Sequence, residues 1–360
     1  MHRAYVFTIL ATLFTTPVVA ILDNATHVDV STESTHIQAG IRDGVVKSRG
    51  VNLGGWLVAE HWMTADAIFW QGVENQFANS GEYTAITKAA SLDSIRSKLN
   101  DHHATFISED DIQQIAAAGL NTVRVPVGFW ILGYDNHDPA NLREWEVYTK
   151  GTIVYLDQLI QRWAKKHNVA VLVSLHAAKG SQNGADHSSP TSPGHTFWSQ
   201  YSENVANTIE VARFLAKRYL NEEAFLGIGL LNEPNGSTDE KVLYQFYKDA
   251  YRAVRAIGSD CVLSIMPMLQ KQNPDEMVDF MTMPEFLNIW VEWHPYFVWG
   301  FEHTSDEHLV NVAVKHDYNK RVGKWNGNKE EQPVVHWRVE LGHAFQHALQ
   351  QPRLLLQVRV

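Results

Sequence analysis

The chain has 360 residues, 45% apolar and 19% charged, enough to bury one large core, and no block of like charge or low-complexity stretch suggests a long disordered linker. Its formal charge of −10 repels phosphate backbones and no Lys/Arg cluster offsets it, so nucleic acid and anionic membrane surfaces are not expected as partners. The length suits a single α/β barrel of about 250 residues plus insertions.

Residues 1–20, MHRAYVFTILATLFTTPVVA, run from His2 and Arg3 through an apolar stretch to small residues ending at Ala20. That pattern reads as a secretory signal, and its Thr and Pro residues make it too short and too interrupted for a membrane anchor. Residues 21–46 form a lead-in to the barrel. Asn24-Ala-Thr and Asn235-Gly-Ser are glycosylation sequons that fit export as a glycoprotein. Cys261 is the single cysteine, so no intrachain disulfide forms, and a core of this size can do without one. A secreted monomer, extracellular or in the cell wall, is the expectation.

Short apolar runs then alternate with helical patterns, which predicts βα units and a parallel sheet. In chain order the strand candidates are RGVNLGG at 49–55, TVRVPVG at 122–128, VAVLVSLHA at 169–177, GIGLLNEP at 227–234, CVLSIMP at 261–267, LNIWVEWHPY at 287–296 and PVVHWRV at 333–339. Helices are predicted over EDDIQQIAAAG, with acids in its first turn and Gly119 past its end, and over GTIVYLDQLIQRWAKKHN. The fold class is therefore α/β, a (β/α)8 TIM barrel. A barrel of this type has eight strands, and the residues after 339 show no convincing eighth strand-and-helix unit.

Barrel chemistry sits at the C-terminal ends of the strands, where this sequence places Arg124, His176, Asn232 with Glu233, and Glu292 with His294 and Tyr296. A lone Arg or His at a strand end is usually a satisfied structural residue, but polar groups on so many strand ends together point to a site. In LLNEPN, Leu230 and Leu231 read as buried, Asn232 and Glu233 emerge at the mouth, and Pro234 ends the strand by withholding a donor. A half-desolvated carboxyl there is expected to have a raised pKa and to serve as a general acid. Trp62, Phe129, Trp130, Phe297, Trp299 and Phe301 fall just after strand ends, where flat rings can stack on pyranose rings, although core packing is the commoner fate of an aromatic side chain. No His-Glu-x-x-His or other metal-ligand spacing occurs among the 18 histidines, so neither metal nor cofactor is expected.

The ordered motifs RGVNLGGWLVAEHW, GLNTVRVPVGFW, SLHAAKGSQNG, GIGLLNEPNG and EWHPYFVW resemble the family 5 glycoside hydrolases, and within them the secreted exo-1,3-β-glucanases of fungal and oomycete type. The similarity runs in register over residues 47–335. It implies a retaining barrel hydrolase of β-1,3-glucan, releasing glucose from chain ends, with two glutamates about 5 Å apart. By that resemblance Glu233 is the acid/base and Asn232 holds the sugar 2-hydroxyl. Glu60, Arg124, His176, His294 and Tyr296 line the sugar subsite or orient the nucleophile. Three features depart from the pattern: HAAKG replaces the usual His-Gly-Ala-Pro-Gly, Glu292 stands where Asp is common, and the family's disulfide cysteines are absent.

The largest departure is on strand seven, where the family reads approximately Pro-Val-Val-Ile-Gly-Glu-Trp-Ser with Glu as nucleophile, and this chain reads QPVVHWRVEL. His336 to Leu341 can be encoded by CAY TGG CGN GTN GAR CTN, and with CAT, CGA, GTG and GAG chosen the same nucleotides read one position later give ATT GGC GAG TGG AGC, which is Ile-Gly-Glu-Trp-Ser. A single-nucleotide frameshift or misplaced exon boundary before His336 is inferred, making 336–360 an out-of-frame tail. Glu340 is the remaining nucleophile candidate, but it lies about 6.6 Å beyond Arg338 at roughly 3.3 Å per residue, more than nucleophilic attack tolerates. Two alternatives stay open: a catalytically inactive glucan-binding protein that has lost its nucleophile, and a β-1,4-glucanase of the same fold.

Overall fold

The computed structural model describes residues 36–273, 275–294 and 296, together with 303–308, 311, 316, 320, 323 and 324. The signal, most of the lead-in, strand seven with Glu340, the tail, Phe297, Trp299 and Phe301 lie outside the described residues.

Six described strands form one parallel sheet in sequential order: β1 (Gly50–Asn52), β2 (Thr122–Gly128), β3 (Ala170–Ala177), β4 (Phe225–Gly229), β5 (Val262–Ile265) and β6 (Ile289–Val291). Each overlaps a predicted apolar run, but β4 begins two residues before the predicted 227–234 and ends at Gly229, so Leu230 and Leu231 lie past the strand and Pro234 does not end it. Strands β2 to β5 are buried along their whole length; β3 and β5 read as nearly continuous apolar runs, as expected of strands buried on both faces, whereas β2 alternates its valines with Thr122, Arg124 and Pro126. Consecutive parallel strands, joined by helices as far as β5 and by the short turn Leu269–Lys271 between β5 and β6, have the connectivity of a β/α barrel.

The strand interiors change character from bottom to top. On β3, residues two apart share a face, so Ala170, Leu172, Ser174 and His176 look the same way. Ala170 and Leu172 join Leu226, Val262, Trp290 and Ile41 in a small apolar cluster. Ile41 comes from the lead-in helix Ile37–Arg42, which packs an apolar residue against the lower ends of the strands. Above that layer, Ser174, Ser264 and Glu292 continue the same faces as polar groups. Gly229 belongs to this polar layer, because a Cβ there would come within 3.3 Å of Glu292 Oε2.

The surrounding helices follow their sequence signals. Ser108 and Asp111 form a reciprocal capping box at the start of Glu109–Ala117, and Gly119 takes the left-handed φ of +79° just past its end. The predicted helix over 151–168 forms as Ile153–Gln158, a π-helical turn Leu159–Ala164 and Lys165–His167, ending at left-handed Asn168. Helix Glu240–Arg255 buries Leu243, Phe246, Tyr247, Ala250 and Val254, an apolar stripe of helical period, and Asp239 caps it by accepting from Lys241 N and Val242 N. Between β1 and β2 the chain adds the helices His61–Thr64, Asn75–Ala78, Glu82–Lys88 and Leu92–Thr105, which the sequence reading leaves unassigned. The first three are too short for a periodic pattern to declare itself.

Candidate active site

The polar strand ends meet at one mouth. Arg124 of β2 donates to Asn232 Oδ1 at 2.8 Å and pairs with Glu292 Oε1 at 2.9 Å. Asn232 Nδ2 lies 3.5 Å from His176 Nε2, and His176 Nδ1 lies 3.3 Å from Ser174 Oγ. Glu292 also accepts from Ser264 Oγ at 2.8 Å. Burial raises the Glu292 pKa, but the Arg124 charge, His294 and Ser264 outweigh it and hold the carboxyl far below its ordinary range.

Glu233 follows β4 and is 5% exposed. His294 Nδ1 lies 2.6 Å from its Oε1, to which the Tyr296 hydroxyl also donates, and His294 Nε2 lies 2.8 Å from Glu292 Oε1. His294 thus bridges two buried carboxylates. Glu233 has a φ of +49°, a left-handed conformation that costs a non-glycine residue about 1–3 kcal/mol and persists where its surroundings hold it. Those surroundings are specific: Glu233 N donates to Met266 Sδ at 3.3 Å, and Asn183 Nδ2 donates to its carbonyl at 3.1 Å.

One expectation is corrected here. Burial acts on Glu233 as foreseen and raises its pKa, but His294, His187 and Tyr296 together pull it well below the ordinary value. The sequence reading considered desolvation and not the donors that the fold delivers.

A second correction concerns the aromatic residues. Phe129 and Trp130 are each only 4% exposed, and Trp130 stacks on Tyr148 with centroids 3.6 Å apart and planes 4° from parallel. Their rings belong to the core instead of offering an open face to sugar. Trp62 is different: it is 51% exposed and donates from its indole to Glu60 Oε2 at 3.0 Å. Glu60 is buried beside it, at the start of the excursion after β1.

The sequence reading missed the contribution of the loop after β3. Gln182 Nε2 donates to the carbonyls of His176 and Asn232, both at 2.8 Å, tying β3's end to the residue before Glu233. His187 Nε2 stands 3.4 Å from Glu233 Oε2. The polar run Ser181-Gln182-Asn183, set off by three residues from the end of buried β3, was the available signal. Lys179, in the departing HAAKG segment, is buried against Asp135 Oδ2 at 2.6 Å and donates to the His137 carbonyl at 2.7 Å, so it fastens this loop to the one after β2.

A parallel β/α barrel whose strand ends gather buried carboxylates, histidines and an arginine defines the chain's class. Residues 84–341 match the family model described as Cellulase (glycosyl hydrolase family 5), and the chain belongs to glycosyl hydrolase family 5. It is 40% identical over 221 residues to a glucan 1,3-beta-glucosidase of Blumeria graminis, covering 60% of this chain and 48% of that protein. It is 33% identical over 293 residues to glucan 1,3-beta-glucosidase 2 of Wickerhamomyces anomalus, covering 78% of this chain and 64% of that one. The chain thus spans less than two thirds of either relative. Its fold is also that of the rutinosidase from Aspergillus niger, with a TM-score of 0.62 at 17% identity over 77% of each chain.

Proposed function

We propose that the frame-corrected form of this chain, with the strand-seven glutamate restored, is a retaining glycosidase of β-1,3-glucan that releases glucose from chain ends, with Glu233 as acid/base. The observation that carries the reading is Glu233 itself, a carboxylate buried at the barrel mouth and gripped on Oε1 by His294 and Tyr296. In the first step Glu233 gives a proton to the glycosidic oxygen while the strand-seven carboxylate attacks the anomeric carbon; in the second Glu233 takes a proton from the incoming water. The resting donors favour ionised Glu233, the form needed for the second step. The acid form requires one of them to turn away. Arg124, Asn232, His176 and Glu60 hold the sugar, and Trp62 offers it a face. Names of the relatives support the substrate, and residues 1–20 support secretion.

The test is hydrolysis of laminarin against cello-oligosaccharides by the frame-corrected chain and its variants, with NMR of the first anomer formed. Faster cleavage of laminarin with a β-configured product is expected; preference for cello-oligosaccharides or an α-product rejects the reading. Glu233→Gln lowers turnover of unactivated glucan by about 100-fold or more. A second reading, glucan binding without turnover, is favoured by Arg338 at the position where the nucleophile belongs.

A further inference from the structure

His187 lies in the short turn Asp186–Ser188 of the loop after β3. Its Nε2 is 3.4 Å from Glu233 Oε2 and 2.9 Å from Asn183 Nδ2, and its Nδ1 is 3.7 Å from Asp186 Oδ1. The ring meets that of His176 edge-on at 5.5 Å. The titratable groups facing it are therefore Asp186 on its own turn, His176 at the end of β3, Glu233 after β4 and Glu60 after β1. Burial alone would lower its pKa, but the nearby Asp186 carboxylate and the charges of Glu233 and Glu60 prevail and bring it to about 9.

Asn183 gives this histidine an alternative partner. Its Oδ1 accepts from Ala185 N at 3.0 Å, which fixes the amide's orientation, and one Nδ2 hydrogen goes to the Glu233 carbonyl at 3.1 Å. The other hydrogen faces His187 Nε2. That contact suits a neutral ring with a lone pair on Nε2, while the surrounding carboxylates favour a proton there. The contact satisfies the neutral ring and the charges satisfy the protonated one, so Nε2 has two partners, one for each protonation state. Glu233 Oε1 already takes His294 and Tyr296, which leaves Oε2 as the oxygen able to carry an acid proton.

We propose that His187 is a positioning residue for Glu233, donating to Oε2 when its ring is protonated and turning to Asn183 as an acceptor when it is neutral. Ionised Glu233 is then held by a donor on each oxygen. Protonated Glu233 keeps its Oε2 hydrogen free for the cleft, because neutral His187 is satisfied by Asn183. The inference rests on Glu233 being the acid/base.

The experiment is an NMR titration of the histidine ring nitrogens and the glutamate carboxyl carbons in the full chain, its Glu233→Gln variant, and His187→Asn and His187→Gln. His187 is expected to titrate above the ordinary imidazole range, and Glu233→Gln to lower that midpoint by about one pH unit or more. Both His187 variants are expected to raise the Glu233 midpoint; the second guards against a fold defect in the first. A His187 midpoint that ignores Glu233→Gln, or a Glu233 midpoint that ignores both His187 variants, overturns the proposal. Laminarin hydrolysis, measured on the same chain and on its frame-corrected form, separates the two readings. Coupling without hydrolysis in either form keeps the His187–Glu233 contact but rejects the hydrolase and with it the positioning role; hydrolysis without coupling rejects His187.

Discussion

Arg124 and Glu292 form a buried ion pair across the barrel mouth, guanidinium nitrogen to Oε1 at 2.9 Å. The pair sits on β2 and just past β6, strands that are not neighbours in the sheet, so it spans the interior. Ser264 and His294 satisfy the remaining carboxylate positions. The charge at Glu292 is thereby held in place.

Breaking that pair should be costly. Glu292→Gln leaves the Arg124 charge buried without its counter-ion, which typically costs about 3–5 kcal/mol. A urea melt at neutral pH is expected to show a loss of that order. Because the folded Glu292 pKa lies below its unfolded value, the stabilisation is present above the ordinary carboxylate range and fades as pH falls through the folded value. A loss under about 1 kcal/mol at neutral pH would mean that the pair is solvated and weak.

Glu82 behaves in the opposite sense. It is buried, accepts from Ala59 N at 2.9 Å, and burial raises its pKa from 4.5 to about 7 despite that hydrogen bond. The folded chain therefore holds a proton that the unfolded chain has lost between those values. Stability from this group is full below pH 4.5 and declines as pH rises through about 7. Glu82→Gln is expected to flatten that decline, with a relative gain at pH 8 of up to about 3 kcal/mol. Melts of both chains at pH 5 and pH 8 decide it; parallel pH dependences would show that Glu82 is ionised throughout.

Tyr296→Phe tests the grip on Glu233. Removing this donor takes away one of the groups that depress the Glu233 pKa, so the carboxyl midpoint rises. Protonated Glu233 then persists to higher pH, and in the frame-corrected chain the alkaline limb of kcat/KM shifts upward with it. Carbon-13 titration of the carboxyl measures the shift without turnover. An unchanged midpoint would mean that His294 and His187 alone hold the carboxylate.

The legible part of this protein was what depends on repetition along the chain. Apolar runs located all six described strands, and Asn232 and Glu233 stood out because polar residues follow Leu230 and Leu231 without a turn signal. What stayed hidden depends on partners far away in sequence. Desolvation of Glu233 could be foreseen from its neighbours, but His294, Tyr296 and His187 reach it from two other loops, and they reverse the sign of its shift. Trp130 looked like a sugar platform until Tyr148, also distant in sequence, covered its ring.

The last prediction concerns strand seven. Retaining hydrolysis needs a second carboxylate about 5 Å from Glu233, and the chain as written places Arg338 where the family motif has its glutamate. Glu340 is on the same strand face if the period-two pattern holds, yet it lies about 6.6 Å away from that position at roughly 3.3 Å per residue. Displacements far smaller than this already slow reactions that depend on aligned atoms. An arginine there would also lower the Glu233 pKa, against the needs of an acid. Sequencing of the DNA around codons 330–345 is expected to reveal the one-nucleotide shift that restores Ile-Gly-Glu-Trp-Ser. The chain carrying that correction from His336 onward is expected to hydrolyse laminarin, and the chain as written is expected to be inactive. Comparable turnover by both would reject the frameshift and assign the second carboxylate to Glu340.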